Sequence, residues 1–305
     1  MDNVHVVEER RNPLNHFEGA SSFLHLTGAS LRHDSSGAGV KLEHIVVATD
    51  ASEAGRGAYL AALDLAARAS ARLTVMRAIP GRRVPVGAYR DRSEDELERL
   101  EEWAATASDH GGVPVTLDVE FGHPSVEIPR VAENQGADLI VMGRKPRSQA
   151  ARFRVGDTAD AVVRRSRVPC LLVPPDSPPV RRVLAAVDGS PRGSKVFVSA
   201  SELARLIGAS LRAVTVEVSD HDEPDDAARR TPRARTARLQ SEIGPALTVR
   251  HGPIFEQVLA EIHDIQSDLL VIGNQRGGPP GVLEVGSVGR HLTHGAPCAV
   301  LTIPL

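Results

Sequence analysis

Two stretches, "VATDAS" at 47–52 and "AAVDGS" at 185–190, end an apolar run on an aspartate, Asp50 or Asp188, and place a serine two positions later. A carboxylate at such a strand end can accept hydrogen bonds from a ligand, and it can equally serve the turn into a following helix. Pro191 after Ser190 fits a helix start, because the first helical position needs no N–H donor. A second set of candidates is glycine-rich. "GNQRGGPPGVLEVGSVG" at 273–289 supplies Gly273, Gly277, Gly278, Gly281 and Gly286, then Ser287 at an expected helix start. Glycine lets a ligand approach the backbone, and a helix N-terminus offers N–H donors to a phosphate. The pattern is neither Gly-x4-Gly-Lys-Ser/Thr nor Gly-x-Gly-x-x-Gly after a first strand, so the two commonest phosphate loops are excluded.

These candidates recur because the chain repeats itself. Asp50 answers Asp188; "FGHPSVEIPRVAENQGADLIVMG" at 121–143 answers "HGPIFEQVLAEIHDIQSDLLVIG" at 251–273; "VPCLLVP" answers "APCAVLTIP". Cys170 and Cys298 therefore hold equivalent places in apolar strands, which favours buried structural thiols over reactive ones.

Within each copy, β-branched runs alternate with helical patterns, the mark of βαβ units and a parallel sheet. Strands are expected at 44–49, 73–78, 113–119, 139–142 and 170–173, and again at 183–187, 211–216, 247–249, 269–272 and 299–303. Ser93 to Glu96 fits a capping box leading a helix with Leu97, Leu100, Ala104 and Ala107 on one face, and Trp103 reads as packing. Residues 220–238 pass from acidic to basic, as a helix dipole would favour. The proline-rich stretch 174–179 separates the copies as a stiff linker. In such sheets ligands bind beyond the carboxyl ends of the strands at the switch point, which would pair each aspartate with the glycine ending the fourth strand, Gly143 or Gly273.

The strand-ending "ATDAS" and "AVDGS", the "ADLIVMG" and "SDLLVIG" strands, the glycine loops and the proline-led last strands together resemble a tandem universal stress protein, both copies being similar to UspA-type domains. The resemblance implies an α/β fold of two tandem open parallel five-stranded sheets with flanking helices, Rossmann-like and adenine-nucleotide α-hydrolase-like. It divides the chain into an N-terminal extension at 1–41 and domains at 42–175 and 180–305. In the nucleotide-binding branch of that family, ATP, with Mg²⁺ where needed, is held by Gly-x2-Gly-x9-Gly-Ser/Thr. In the second copy Gly273 matches the first glycine, Arg276 stands at the second with Gly277 just after, and Gly286 with Ser287 match the last pair. In the first copy Gly143 and Gly156 match, Pro146 replaces the second glycine and Asp157 the hydroxyl residue. Asp157 would compete with phosphate for helix N–H groups; Arg144, Lys145, Arg147, Arg152 and Arg154 could offset it, though they also read as a solvated basic loop.

By the same resemblance Ala186, Val187 and Asp188 would address adenine, while Ile272, Gly273, Gly286, Ser287 and Val288 would meet ribose and phosphates. Their first-copy counterparts are Ala48, Thr49, Asp50, Met142 and Gly143. The second copy is expected to be the better nucleotide site.

Composition bounds the remaining choices. The chain has 305 residues, fitting two domains; 41% hydrophobic and 25% charged residues are ordinary for a globular protein, and a net charge of −3 makes no case for nucleic acid or anionic lipid. With only 3% aromatic residues, the cores must be filled by aliphatic side chains. Residues 1–41 lack a signal-peptide pattern, and their histidines match no compact ligand spacing. His123 and His251 sit at strand-to-helix turns and read as turn residues rather than catalysts. Three functions stay open: an ATP-binding regulatory module; a slow ATP hydrolase recruiting Glu284 and Arg276; and a nucleotide-free partner-binding protein. The expected setting is cytoplasmic, without membrane or nucleic acid, with unidentified protein partners, the two halves pairing within the chain and a homodimer as a further option.

Overall fold

The computed structural model describes residues 42–80, 86–105, 112–144, 157–218, 226–274 and 287–305. The first copy contributes β1 (His44–Ala48), α1 (Glu53–Ala69), β2 (Arg72–Ile79), α2 (Val86–Ala105), β3 (Val115–Phe121), α3 (Pro124–Asn134), β4 (Leu139–Gly143), α4 (Asp157–Arg165) and β5 (Cys170–Val173). The second contributes β6 (Arg182–Ala186), α5 (Pro191–Leu206), β7 (Ser210–Glu217), α6 (Asp226–Ile243), β8 (Leu247–His251), α7 (Ile254–Asp264), β9 (Leu269–Asn274), α8 (Ser287–Gly295) and β10 (Ala299–Pro304). All ten expected strands are present.

The two expected five-stranded units join along their last strands into one ten-stranded sheet. The strand order is β3-β2-β1-β4-β5-β10-β9-β6-β7-β8, parallel within each copy and antiparallel only where β5 meets β10. Leu171 pairs with Leu301, and the Thr302 hydroxyl donates to the Cys170 carbonyl at 3.2 Å. This pairing covers the edge that each five-stranded unit would leave open. It also reverses one copy relative to the other, so the carboxyl ends of β1–β5 lie on the sheet edge that carries the amino ends of β6–β10.

Both faces of the central strands are covered, which explains their unbroken apolar runs. Along β1, Ile45 and Val47 join a core shared by both copies under α1, α2, α5 and α6, while Val46 and Ala48 face a separate cluster with α3 and α4. The second copy repeats that separate cluster under α7 and α8. Cys170 and Cys298 are both free and buried, as their matched positions suggested; burial pushes their thiols up to about 12 and about 11.

Three local readings need correction or extension. Helix α2 starts at Val86, so Ser93 to Glu96 lie inside it rather than capping it, and Glu96 is instead buried between Arg77 and Arg99 at 2.9 Å from each. On its expected apolar face Leu100 and Ala104 are buried but Leu97 is exposed, and Ala107 lies outside the described residues. Helix α6 runs to Ile243 with no basic residue in its last turn, so the dipole reading of 220–238 fails there; Arg238 pairs along the helix with Glu242 at 2.6 Å, and residues 220–225 lie outside the described residues. Pro129 sits inside α3, where it cannot donate to the Ser125 carbonyl one turn back; Arg165 supplies that acceptor with a donor at 3.4 Å. Trp103 packs as expected, its ring 5.4 Å from that of Tyr59.

Candidate functional site

The order of each half places β1 beside β4 and β6 beside β9, and the connections leave these pairs toward opposite faces. Ala48 pairs with Met142, which sets Thr49 and Asp50 next to Gly143. Ala185 pairs with Val271, which sets Val187 and Asp188 next to Gly273 and Asn274. Each expected aspartate and glycine therefore meet at a switch point, and the two crevices open on opposite edges of the ten-stranded sheet.

The turn after each aspartate is built from side-chain acceptors. In the second copy Asp188 Oδ1 accepts from the Ser190 amide at 3.0 Å and from the Ser190 hydroxyl at 2.6 Å, and Ser190 Oγ accepts from the Gly193 amide at 3.1 Å. The aspartate thus orients the serine that caps α5, while remaining exposed itself. The first copy repeats this more loosely: Asp50 Oδ1 accepts from Ser52 N at 3.1 Å, and Ser52 Oγ from Gly55 N at 3.4 Å. Thr49 Oγ1 adds a bond from Ala51 N at 2.9 Å, for which the second copy has Val187 and no hydroxyl.

Backbone conformation separates the copies further. The residue after the aspartate is left-handed in both, Gly189 at φ 70° and Ala51 at φ 59°. Glycine takes this conformation without cost, whereas an alanine there is strained by about 1 kcal/mol. Gly189 is also needed for space: a Cβ would lie 2.7 Å from the Cβ of Arg235, a residue of α6 that the fold brings to the mouth of this crevice. At Gly273 a Cβ would lie 2.4 Å from Leu305 Cδ1 and 3.0 Å from Val196 Cγ2, so a larger residue there would force the Leu305 side chain to move.

Of the other expected contacts, Ala48, Thr49, Met142, Val187 and Ile272 are buried, Ala186 and Val288 are half-buried, and Ser287 opens α8. Gly156, Arg276, Gly277 and Gly286 lie outside the described residues, as do Pro146, Glu284, Lys145, Arg147, Arg152 and Arg154. Arg144 does not belong to a solvated loop: it is wholly buried and bonds to the second copy. Its sequence signal was positional, since it follows Gly143 as Asn274 follows Gly273. Asp138 and Asp268 have a structural role that the sequence reading missed. At the opposite ends of β4 and β9, Asp138 accepts from the Glu43 and His44 amides at 2.8 and 3.0 Å, and Asp268 from those of Arg181 and Arg182 at 3.0 and 2.9 Å. Among the described residues no cluster of His, Cys, Asp and Glu could hold a metal ion, and no helix is long and apolar enough to cross a membrane.

Comparison with known proteins agrees with this geometry. The model of the universal stress protein family matches residues 41–174 and, separately, 179–304. A putative universal stress protein of Staphylococcus saprophyticus is 33% identical over 138 residues, covering 42% of this chain and 81% of that protein. One of Staphylococcus haemolyticus is 30% identical over 138 residues, covering 43% and 84%. Among solved structures, a universal stress protein from Archaeoglobus fulgidus aligns with a TM-score of 0.66 at 19% identity, over 87% of this chain and 99% of that one. A putative universal stress protein from Pseudomonas aeruginosa aligns at 0.64 and 18%, over 88% and 95%. These structural likenesses extend over both halves and concern the fold.

Proposed function

Since the chain belongs to the universal stress protein family through both of its halves, we propose that it is an ATP-binding regulatory module of the stress response, with its better nucleotide site in the second copy. The observation that carries this reading is the meeting of Asp188 with Gly273 at the β6–β9 switch point, at the carboxyl ends of the strands, where the chain leaves β9 for α8. Asp188 and the backbone of Ala186 and Val187 would take the adenine side. The α8 N-terminus, with Gly286 before it, would take the phosphates through its free N–H groups, Mg²⁺ sharing their charge. The relaxed glycine turn at 189 and the hydroxyl residue Ser287 favour the second copy over the first, which has Ala51 and Asp157 at the corresponding places.

Regulation requires that nucleotide bind one conformation better than another, not that it react. The domains at 42–175 and 180–305 would act as one paired body, in the cytoplasm, meeting protein partners on surfaces outside the seam. If copies of the chain associate further, β3 and β8 are the outer strands of the sheet among the described residues.

The test is calorimetric titration of nucleotide-stripped protein with ATP and Mg²⁺. Saturable binding that Gly286→Asp removes supports the reading. Absence of heat at several temperatures, with no retention in equilibrium dialysis, overturns it in favour of a nucleotide-free partner module. Sustained Mg²⁺-dependent phosphate release would instead favour the hydrolase.

A further inference from the structure

Among the described residues Arg144 is the largest side chain that is fully buried, and its guanidinium serves the other copy. It donates through Nη1 to the Thr293 carbonyl and through Nη2 to those of Ala296 and Cys298, each at 2.8 Å. These carbonyls belong to the last turn of α8 and the entry to β10, where a helix runs out of internal donors. A cation there also faces the negative end of the helix dipole. Burial lowers its pKa to about 10, which leaves it charged at neutral pH.

The placement of this residue links two ends of the molecule. Arg144 directly follows Gly143 at the end of β4, and its own amide is tied to the Val173 carbonyl at 2.7 Å. At the matching position Asn274 follows Gly273, and its Nδ2 donates to the Val163 carbonyl of α4 at 2.8 Å. Each copy thus reaches from its own strand end to the helix of the other, but with three bonds from the arginine and one from the asparagine. Elsewhere on the seam Asp160 of α4 lies 3.8 Å from Arg290 and 3.7 Å from His294 of α8.

We propose that Arg144 is a positioning residue for the second copy's nucleotide crevice: by holding the C-terminal end of α8 it sets where the backbone N–H groups of that helix's N-terminus stand relative to phosphate. This inference rests on the reading of that crevice as a nucleotide site. Helix α8 has nine residues, about 13 Å from end to end, and so moves as one rigid piece. A shift at its held end therefore reappears at its N-terminus, and displacements near 1 Å are enough to spoil a site. Across the seam, the end of α8 receives bonds from Arg144 at three carbonyls, and α4 receives one from Asn274.

The experiment compares wild type, Arg144→Met and Arg144→Lys as full chains, titrating each with ATP and with adenosine. Adenosine carries the base and ribose but no phosphate. The expected result for Arg144→Met is ATP binding weakened by about tenfold, roughly 1.4 kcal/mol, with adenosine binding changed less than about twofold. Arg144→Lys keeps the charge but not the fork geometry and recovers part of the loss. A ratio of ATP to adenosine affinity equal to that of wild type overturns the inference, whether both ligands bind normally or both weaken together. Should Arg144→Met fail to fold, the lysine variant decides by the same ratio. Wild type that binds neither ligand defeats the nucleotide reading itself, and this inference with it, which is a separate outcome from an unchanged ratio.

Discussion

Ala51 and Gly189 occupy the same turn with the same left-handed backbone but only one has the side chain suited to it. Replacing Ala51 with glycine relieves strain of about 1 kcal/mol, partly offset by a more flexible unfolded chain, for an expected net gain of about 0.5 kcal/mol. The reverse change, Gly189→Ala, adds that strain and drives a methyl group into Arg235, for an expected loss of about 2 kcal/mol or more. Urea midpoints of the two variants should move in opposite directions; movement in the same direction would show that the turns are not equivalent. The repeated aspartate was visible in sequence because its spacing to the serine is local. The contact between Gly189 and Arg235 was not, because the two are joined only by packing of α6 over the crevice.

At the scale of elements, the helix caps and strand ties differ in how much they hold. Ser190→Ala removes the acceptor for Gly193 N and the donor to Asp188, with an expected cost of about 1 kcal/mol, and Ser52→Ala should cost less because its bond is longer, 3.4 against 3.1 Å. Asp268→Ala deprives two strand-start amides and Arg182 of a common acceptor and is expected to cost about 2–3 kcal/mol. Thermal unfolding of the three variants checks the order Asp268→Ala, Ser190→Ala, Ser52→Ala; a loss at Ser52 as large as that at Asp268 would contradict it. Element positions were readable because each strand here is a short aliphatic run bounded by turns. The start of α2 was misplaced because a serine followed by acids looks like a cap wherever it stands, and only packing decided that the helix continued upstream to Val86.

For the whole molecule, buried titrating groups bound the pH range of stability. His44 is buried; its Nδ1–H donates to the Gln135 carbonyl at 3.2 Å, and its Nε2 accepts from the Thr74 hydroxyl at 2.8 Å. Burial, then Arg72, lowers its pKa, and burial likewise lowers that of His294 on the seam. The unfolded chain therefore binds protons at these sites first, and stability present above pH 6.5 falls as pH drops through the lowered values. Cys170 and Cys298 act at the other limit. Their thiols are held neutral to about 12 and about 11 against an ordinary 9.0, so stability falls as pH rises above 9.0, by up to about 1.4 kcal/mol per pH unit for each thiol. Denaturant unfolding across pH should show a plateau between the two limits. In Cys170→Ala and Cys298→Ala the alkaline slope should shrink; an unchanged slope would assign it to other groups.

The amino-acid sequence determined the repeat, the ten strands, the parallel order within each copy, the aspartate–serine turn and the burial of both cysteines, because all of these rest on local pattern or on symmetry between copies. Tertiary structure decided what depends on distant residues meeting: that β5 and β10 pair within one chain, that the two crevices face opposite edges, and that the Leu305 side chain packs over Gly273. Arg144 marks the boundary between the two kinds of information. Next to lysine, proline and arginine it reads as part of a charged loop, and only the antiparallel seam brings three carbonyls of the other copy within its reach, which offsets part of the cost of burying its charge.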